Sequence, residues 1–255
     1  MTRAVWALAW RALRGVARRP QFAAPLVVFP SLFLAVNVGG LSRSTQLDGF
    51  PVVNSFLDFQ LAGAMTQSLL LGGVSAGIAV ALEMEGGFFD RLVVAPIPRV
   101  AIVLGRLVAA GVIAIVQVAY FLAVGLIFGG QIEGGAPGVL LIFLIGTIAG
   151  IGFGAIGVMI ALRARNASTV QGIFPLVFVI LFVSTAWFPL GLLQTPADAI
   201  AEYNPLSYVA DGLRDPIISG VTATSALEGV GAAVGIAVVM TALCVVSLRT
   251  RLRDP

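Results

Sequence analysis

Six apolar runs dominate the pattern of this chain: residues 22–40, 59–82, 107–129, 138–162, 170–190 and 229–248. Each is near or above the length of about 20 helical residues that crosses a hydrocarbon core, and none holds Asp, Glu or Arg in its central part. The charge sits in the breaks. The break at 83–106 holds Glu83, Glu85, Asp90, Arg91, Arg99 and Arg106. Burying them in lipid would cost on the order of 2.5–3.5 kcal/mol each at a helix centre, which places this segment outside the bilayer. Ahead of the first run, residues 4–19 follow a helical period. Trp6, Trp10, Leu13 and Ala17 share one face, and Arg11, Arg14 and Arg18 share another. This predicts an in-plane interfacial helix with its Trp rings at the headgroups and its arginines toward water and anionic lipid. A disordered basic leader that only sets topology is the alternative reading.

The loop at 189–228 is irregular. In "YNPLSYVADGLRDPIISG" (203–220), Asn204 suits a helix cap and Pro205 the first turn, with Leu206, Val209, Ala210, Leu213 and Ile217 at helical spacing. These pieces are too short to span and suit re-entrant or interfacial helices in the outer leaflet. The expected fold is an all-α integral membrane protein: one transmembrane domain over 1–255 with six spans, an amphipathic N-terminal helix and short re-entrant or interfacial helices before the last span.

Several motifs invite other readings. Gly152, Gly154 and Gly157 spell GxGxxG, yet they lie inside an apolar span and not between a strand and a helix, so no dinucleotide site is expected. Gly146, Gly150 and Gly154 recur every four residues and predict a face for close helix packing. Phe174, Phe178 and Phe182 form an aromatic stripe, open to two readings: pathway lining, or packing against lipid or helix. Pro25, Pro30 and Pro175 loosen the helix ladder locally, either as bends in a moving part or as ordinary tolerated prolines. The sequon Asn166-Ala167-Ser168 falls on the side assigned below to the cytoplasm.

Composition sharpens the class. The chain is 59% hydrophobic and only 11% charged, against about a quarter charged in soluble domains. It has no Lys and no His. A GxxxxGK[ST] nucleotide loop, an HExxH zinc site and Ser/His or Cys/His nucleophile pairs are all excluded, so neither catalytic nor metal-binding residues are expected. Cys244 lies alone in an apolar run, an inert thiol. The spans offer only Gln60, Gln67, Gln117 and Asn37 as polar amides. Ion-coupled carriers keep ionisable groups there, which argues against that class and against a channel. A membrane enzyme would have to use Asp198, Glu202 and Asp211, whose spacing asks for no such set.

Of the fifteen arginines, all but Arg43 and Arg214 fall at the N-terminus, at 83–106, at 163–165 or in the tail. Asp48, Asp58, Glu133, Asp198, Glu202, Asp211, Asp215 and Glu228 fall on the other side. By the positive-inside rule both termini are cytoplasmic. The run 22–40 is too long for a signal-peptide core and ends without an A-x-A site, so cleavage is not expected.

The residues at this point resemble a family, the membrane subunits of type 2 ATP-binding-cassette exporters, in the daunorubicin-resistance-like branch. The resemblance covers nearly the whole chain: the basic N-terminus, six spans, the stretch "EMEGGFFDRLVVAPIPR" (83–99), and Asn204-Pro205 with Tyr208, Asp211 and Arg214. The stretch is similar to the family pattern E-x-E-x-G-T-L-[ED]-[RL]-L-x(3)-P. Phe88 and Phe89 depart from it where Thr and Leu are usual, and no basic residue precedes Glu83.

The resemblance implies a permease that hydrolyses no ATP itself and binds no cofactor, with ATP and Mg on a separate nucleotide-binding subunit. It implies a second permease subunit, a copy or a related paralogue, contact with membrane lipid, and no nucleic-acid partner. The implied task is export of a hydrophobic or amphipathic drug, natural product or lipid across a bacterial plasma membrane. Glu83, Glu85, Asp90, Arg91 and Arg99 would form the coupling loop 83–106 that meets the ATPase; from the residues alone, a solvated topology signal reads equally well. Asn204, Pro205, Tyr208, Asp211 and Arg214 would form the external re-entrant motif. The abundance of Ala, Gly and Val beside arginine as sole cation hints at a GC-rich bacterial genome.

Overall fold

In a computed structural model that describes residues 1–18 and 20–252, every regular element is helical. The order is α1 (Thr2–Ala17), α2 (Pro20–Leu41), α3 (Phe56–Glu85), α4 (Phe88–Val94), α5 (Arg99–Ile127), α6 (Gly135–Ala164), α7 (Ala167–Gln171), α8 (Phe174–Phe182), α9 (Ala197–Tyr203), α10 (Pro205–Ile218) and α11 (Ala223–Arg251). Short 3₁₀ turns follow α2 (Ser42–Gln46) and precede α9 (Leu190–Leu192). Among the described residues, five helices are long and apolar enough to cross a membrane.

The long helices overrun their apolar cores. Thirty residues, as in α3 and α6, rise about 45 Å, well beyond a hydrocarbon core of about 30 Å. Charged residues expected in loops are therefore helical: Glu83 and Glu85 form the last turn of α3, and Arg99 opens α5, with Arg106 two turns in. The loop read as 83–106 contracts to the short α4 and its hinges. At the N-terminus the helix read as 4–19 runs Thr2–Ala17; Arg19 and Arg253, counted in the charge balance, lie outside the described residues.

The run 170–190 is not one helix. α7 and α8 break at Gly172–Ile173, with Pro175 in the first turn of α8, and α8 stops at Phe182 after nine residues, about 13 Å. Beyond it the Ser184 hydroxyl donates to the Leu181 carbonyl (2.6 Å), a local bond that competes with the helix ladder, and Pro189 follows. Hydropathy cannot register this break, because the residues stay apolar through it. The segment still runs along α3 from end to end: the Ala167 amide meets Glu85 at the C-terminus of α3, and Trp187 packs beside Gly63 and Gln60 near its N-terminus.

α6 is the centre of the bundle, and glycine puts it there. A methyl at Gly146, Gly150 or Gly154 would run into Val118, Ala114 or Ala110 of α5, matched at the same four-residue spacing. The other two glycines of the GxGxxG string face elsewhere: Gly152 lies against Ile236 and Ala237 of α11, and Gly157 against Gly73 and Gly77 of α3. The string therefore seats three neighbouring helices.

Candidate functional site

Two polar constructions stand at opposite ends of α3. At its C-terminal end, Glu83 accepts from the Arg11 guanidinium of α1 (2.9 Å) and from Arg106 of α5, so one carboxylate ties three helices. Arg11 also stacks over the Phe88 ring, 3.5 Å from its centroid, and burial lowers its pKa from the ordinary arginine value. The Glu85 carboxylate accepts the Ala167 amide (2.8 Å), while Asn166 caps the same helix through Ser168 and Thr169. α1 reaches this end by crossing α5 at Gly105, where its backbone and Leu8 lie against the glycine.

α4 hangs from this anchored end. Gly87 adopts a left-handed conformation (φ 66°), which turns the chain from α3 into α4 at little steric cost. Phe89 is buried and stacks under the Arg251 guanidinium of α11 (4.5 Å), while Arg251 approaches Asp90 at 3.8 Å. The outward residues are Asp90, with 73% of its side chain exposed, Arg91, Val94 at 84%, and Arg99 at the start of α5. The five charges named from sequence thus come together at one end and sort into two groups: Glu83 and Glu85 are bonded to other helices, Glu85 while still exposed, whereas Asp90, Arg91 and Arg99 face outward. The two phenylalanines at 88 and 89 each carry an arginine.

At the other end of α3 the centre is Arg214, which is only 3% exposed. Its Nη2 donates to the carbonyls of Thr185 (2.7 Å) and Ala186 (2.9 Å), and its Nε to that of Phe59 (3.3 Å). Its Nη1 pairs with Asp211, and its plane lies 4.0 Å above the Phe59 ring. Thr185 Oγ1 donates to Asp211 (2.9 Å), and Ser207 accepts the Thr185 amide (3.1 Å). Asn204 caps α10 through Leu206, and its amide reaches back to the Val183 carbonyl (2.9 Å) with Pro205 at the first position. Residues 183–186 lack a helical ladder, and these side chains supply the missing partners. Sequence reasoning assigned Arg214 to the non-cytoplasmic side and to the external motif but not its burial, which follows because broken backbone in an apolar setting needs a donor of this kind. Tyr208 stays partly exposed.

Phe174 and Phe178 stack with each other and with Phe29 of α2, and Phe33 bridges Phe178 and Trp187. This part of the stripe is packing, whereas Phe182 is exposed. Gln117 donates to the carbonyl and hydroxyl of Ser68, whose own hydroxyl donates to the Leu26 carbonyl, tying α5, α3 and α2. Among the described residues no group of three metal-ligating side chains forms. Sequence reasoning missed Arg11, Arg106, Arg251, Phe59 and Thr185 as partners; the arginines were read as topology signals and, for Arg11, as the polar face of an interfacial helix, and their pairing with Glu83 or Asp90 requires the fold.

The profile described as ABC-2 type transporter matches residues 3–218. Among curated proteins, ycf38 of Porphyra purpurea, named as a transport permease, is 27% identical over 210 residues, 82% of this chain and 72% of that protein. The daunorubicin resistance ABC transporter permease protein DrrB1 of Streptomyces coeruleorubidus is 27% identical over 216 residues, 81% of this chain and 72% of its own length.

Proposed function

This chain belongs to the ABC-2 type transporter family, a multi-pass membrane permease, and we propose that it moves a hydrophobic or amphipathic compound out of a bacterial cell on ATP hydrolysed by a separate chain. The observation that carries the coupling role is α4: a short helix held to α1, α3 and α11, with Asp90, Arg91 and Val94 turned outward and Arg99 beside them. In this reading these four meet the ATPase subunit, which holds ATP and Mg. Glu83 and Glu85 hold the base of α4 to α1, α5 and α7, so that a push on α4 reaches the spans as a rigid-body motion. A second permease subunit completes the pathway. Both termini face the cytoplasm, and the broken segment 167–189 makes the sixth crossing. The daunorubicin-resistance relative supports a drug or natural product as cargo.

The test uses charge reversal at the exposed face. Asp90→Arg combined with Val94→Asp is expected to lower ATP-dependent export by tenfold or more (roughly 1.4 kcal/mol of coupling) and to strip the ATPase chain from the detergent-solubilised complex, with membrane insertion unchanged. Full export by the double variant, or transport driven by an ion gradient without any ATPase chain, would defeat the reading.

A further inference from the structure

A cavity of about 700 Å³ lies between α1 and the cytoplasm-assigned ends of α3 and α5, and its lining is graded. Four arginines line it, Arg11, Arg14, Arg18 and Arg106, with the single carboxylate Glu83, which bonds Arg11 and Arg106. Toward the middle of the bundle the wall becomes Leu82, Ala79 and Ser75; from Glu83 to Ser75, α3 descends about 12 Å. Trp10 and Phe88 also line it, the Trp10 ring beneath Arg14 and the Phe88 ring beneath Arg11. Glu83 takes one nitrogen from Arg11 and one from Arg106, while a guanidinium carries five N–H donors, so the cluster keeps donors and net positive charge beyond what Glu83 neutralises. The volume falls in the range of small-molecule sites.

We infer that this cavity binds the phosphate headgroup of an anionic glycerophospholipid from the adjoining leaflet. A phosphate offers the oxygens that planar guanidiniums fork onto. The apolar extension beneath accommodates the glycerol backbone and the first acyl carbons, and this gradient from arginine to alanine favours a lipid over free phosphate. A bound headgroup would link Arg14 and Arg18 of α1 to Arg106 of α5 and set the angle of α1 on the bundle. The site does not depend on the cargo or on the ATPase docking face.

Trp10 reports on occupancy. The full-length protein is reconstituted in phosphatidylcholine vesicles containing a fixed fraction of phosphatidylglycerol, with acyl bromines placed on either lipid at equal mole fraction. The difference in quenching between the Trp6→Phe protein and the Trp6→Phe/Trp10→Phe protein isolates Trp10. The expected result is a local preference for phosphatidylglycerol over phosphatidylcholine of about tenfold, since clustered arginines near a surface favour an anionic lipid. Arg14→Gln with Arg18→Gln should abolish the preference; both side chains are exposed, so the bundle stays packed. Inorganic phosphate at constant ionic strength should not displace the lipid. Equal quenching by both lipids, a preference that survives the double substitution, or displacement by inorganic phosphate would each overturn the inference.

Discussion

Arg214 gathers several parts of the structure at one side chain. Three backbone carbonyls, a carboxylate and an aromatic face converge on one guanidinium. Replacing it with Met removes the donors while leaving the carbonyls of Thr185 and Ala186 in an apolar setting with Asp211 unpaired. The expected destabilisation is about 1–3 kcal/mol for each buried carbonyl left without a donor. Thermal unfolding in detergent should show it as a marked loss. Arg214→Lys keeps the charge but not the planar fork, and should fall between the two; a lysine variant as stable as the parent would mean that charge alone holds the segment. This residue was legible as part of a motif, and its chemistry was not. Sequence gives the charge of Arg214 but cannot say that residues 183–186 lose their helical partners, and that loss is what draws the arginine inward. Glu83 and Glu85 teach the same point in another way: their spacing suggested an outward charged patch, but a guanidinium from α1 and another from α5 engage Glu83, and an α7 amide engages Glu85 at the surface.

At the level of elements, the hydrophobic pattern located five long helices, and the charges at their ends misled only about where helix gives way to loop. A helix does not end where lipid ends, because its backbone bonds are as good in the headgroup layer as in the core. The small-residue spacing was the more informative signal. Gly146, Gly150 and Gly154 predicted a packing face, and α5 answers it with Val118, Ala114 and Ala110. Gly150→Leu should therefore force α5 and α6 apart, costing about 3 kcal/mol, the upper end for overpacking. A change at Gly231, with open space around it, should cost far less. Comparing the unfolding midpoints of the two leucine variants distinguishes packing from helix propensity, which favours leucine over glycine equally at both sites. If both variants shift alike, the stripe is not the contact that seats α6.

For the whole molecule, the arrangement of charge supplies a test of topology. Arg11 and Arg106 meet at Glu83, Arg251 meets Asp90, and Arg163 bonds Ser247 (3.1 Å), so arginines from four separate parts of the chain collect at one end of the bundle. Arg43 stands just after α2, and Arg214 lies beside Phe59 in the first turn of α3. This polarity fits the positive-inside rule if segment 167–189 crosses the membrane, which brings Arg249 and Arg251 of α11 to the same face as Arg11 and Arg106. The chain has one cysteine, Cys244, and it is buried. With Cys244→Ala as background, Ser168→Cys and Thr195→Cys bracket the broken segment, and both positions are exposed. A membrane-impermeant maleimide added to intact cells should label Thr195→Cys and spare Ser168→Cys, and inside-out vesicles should reverse the pattern. Labelling of both from one side would contradict the run of 167–189 along the whole of α3 and the meeting of Arg11 and Arg251 at one end, and would overturn the sixth crossing.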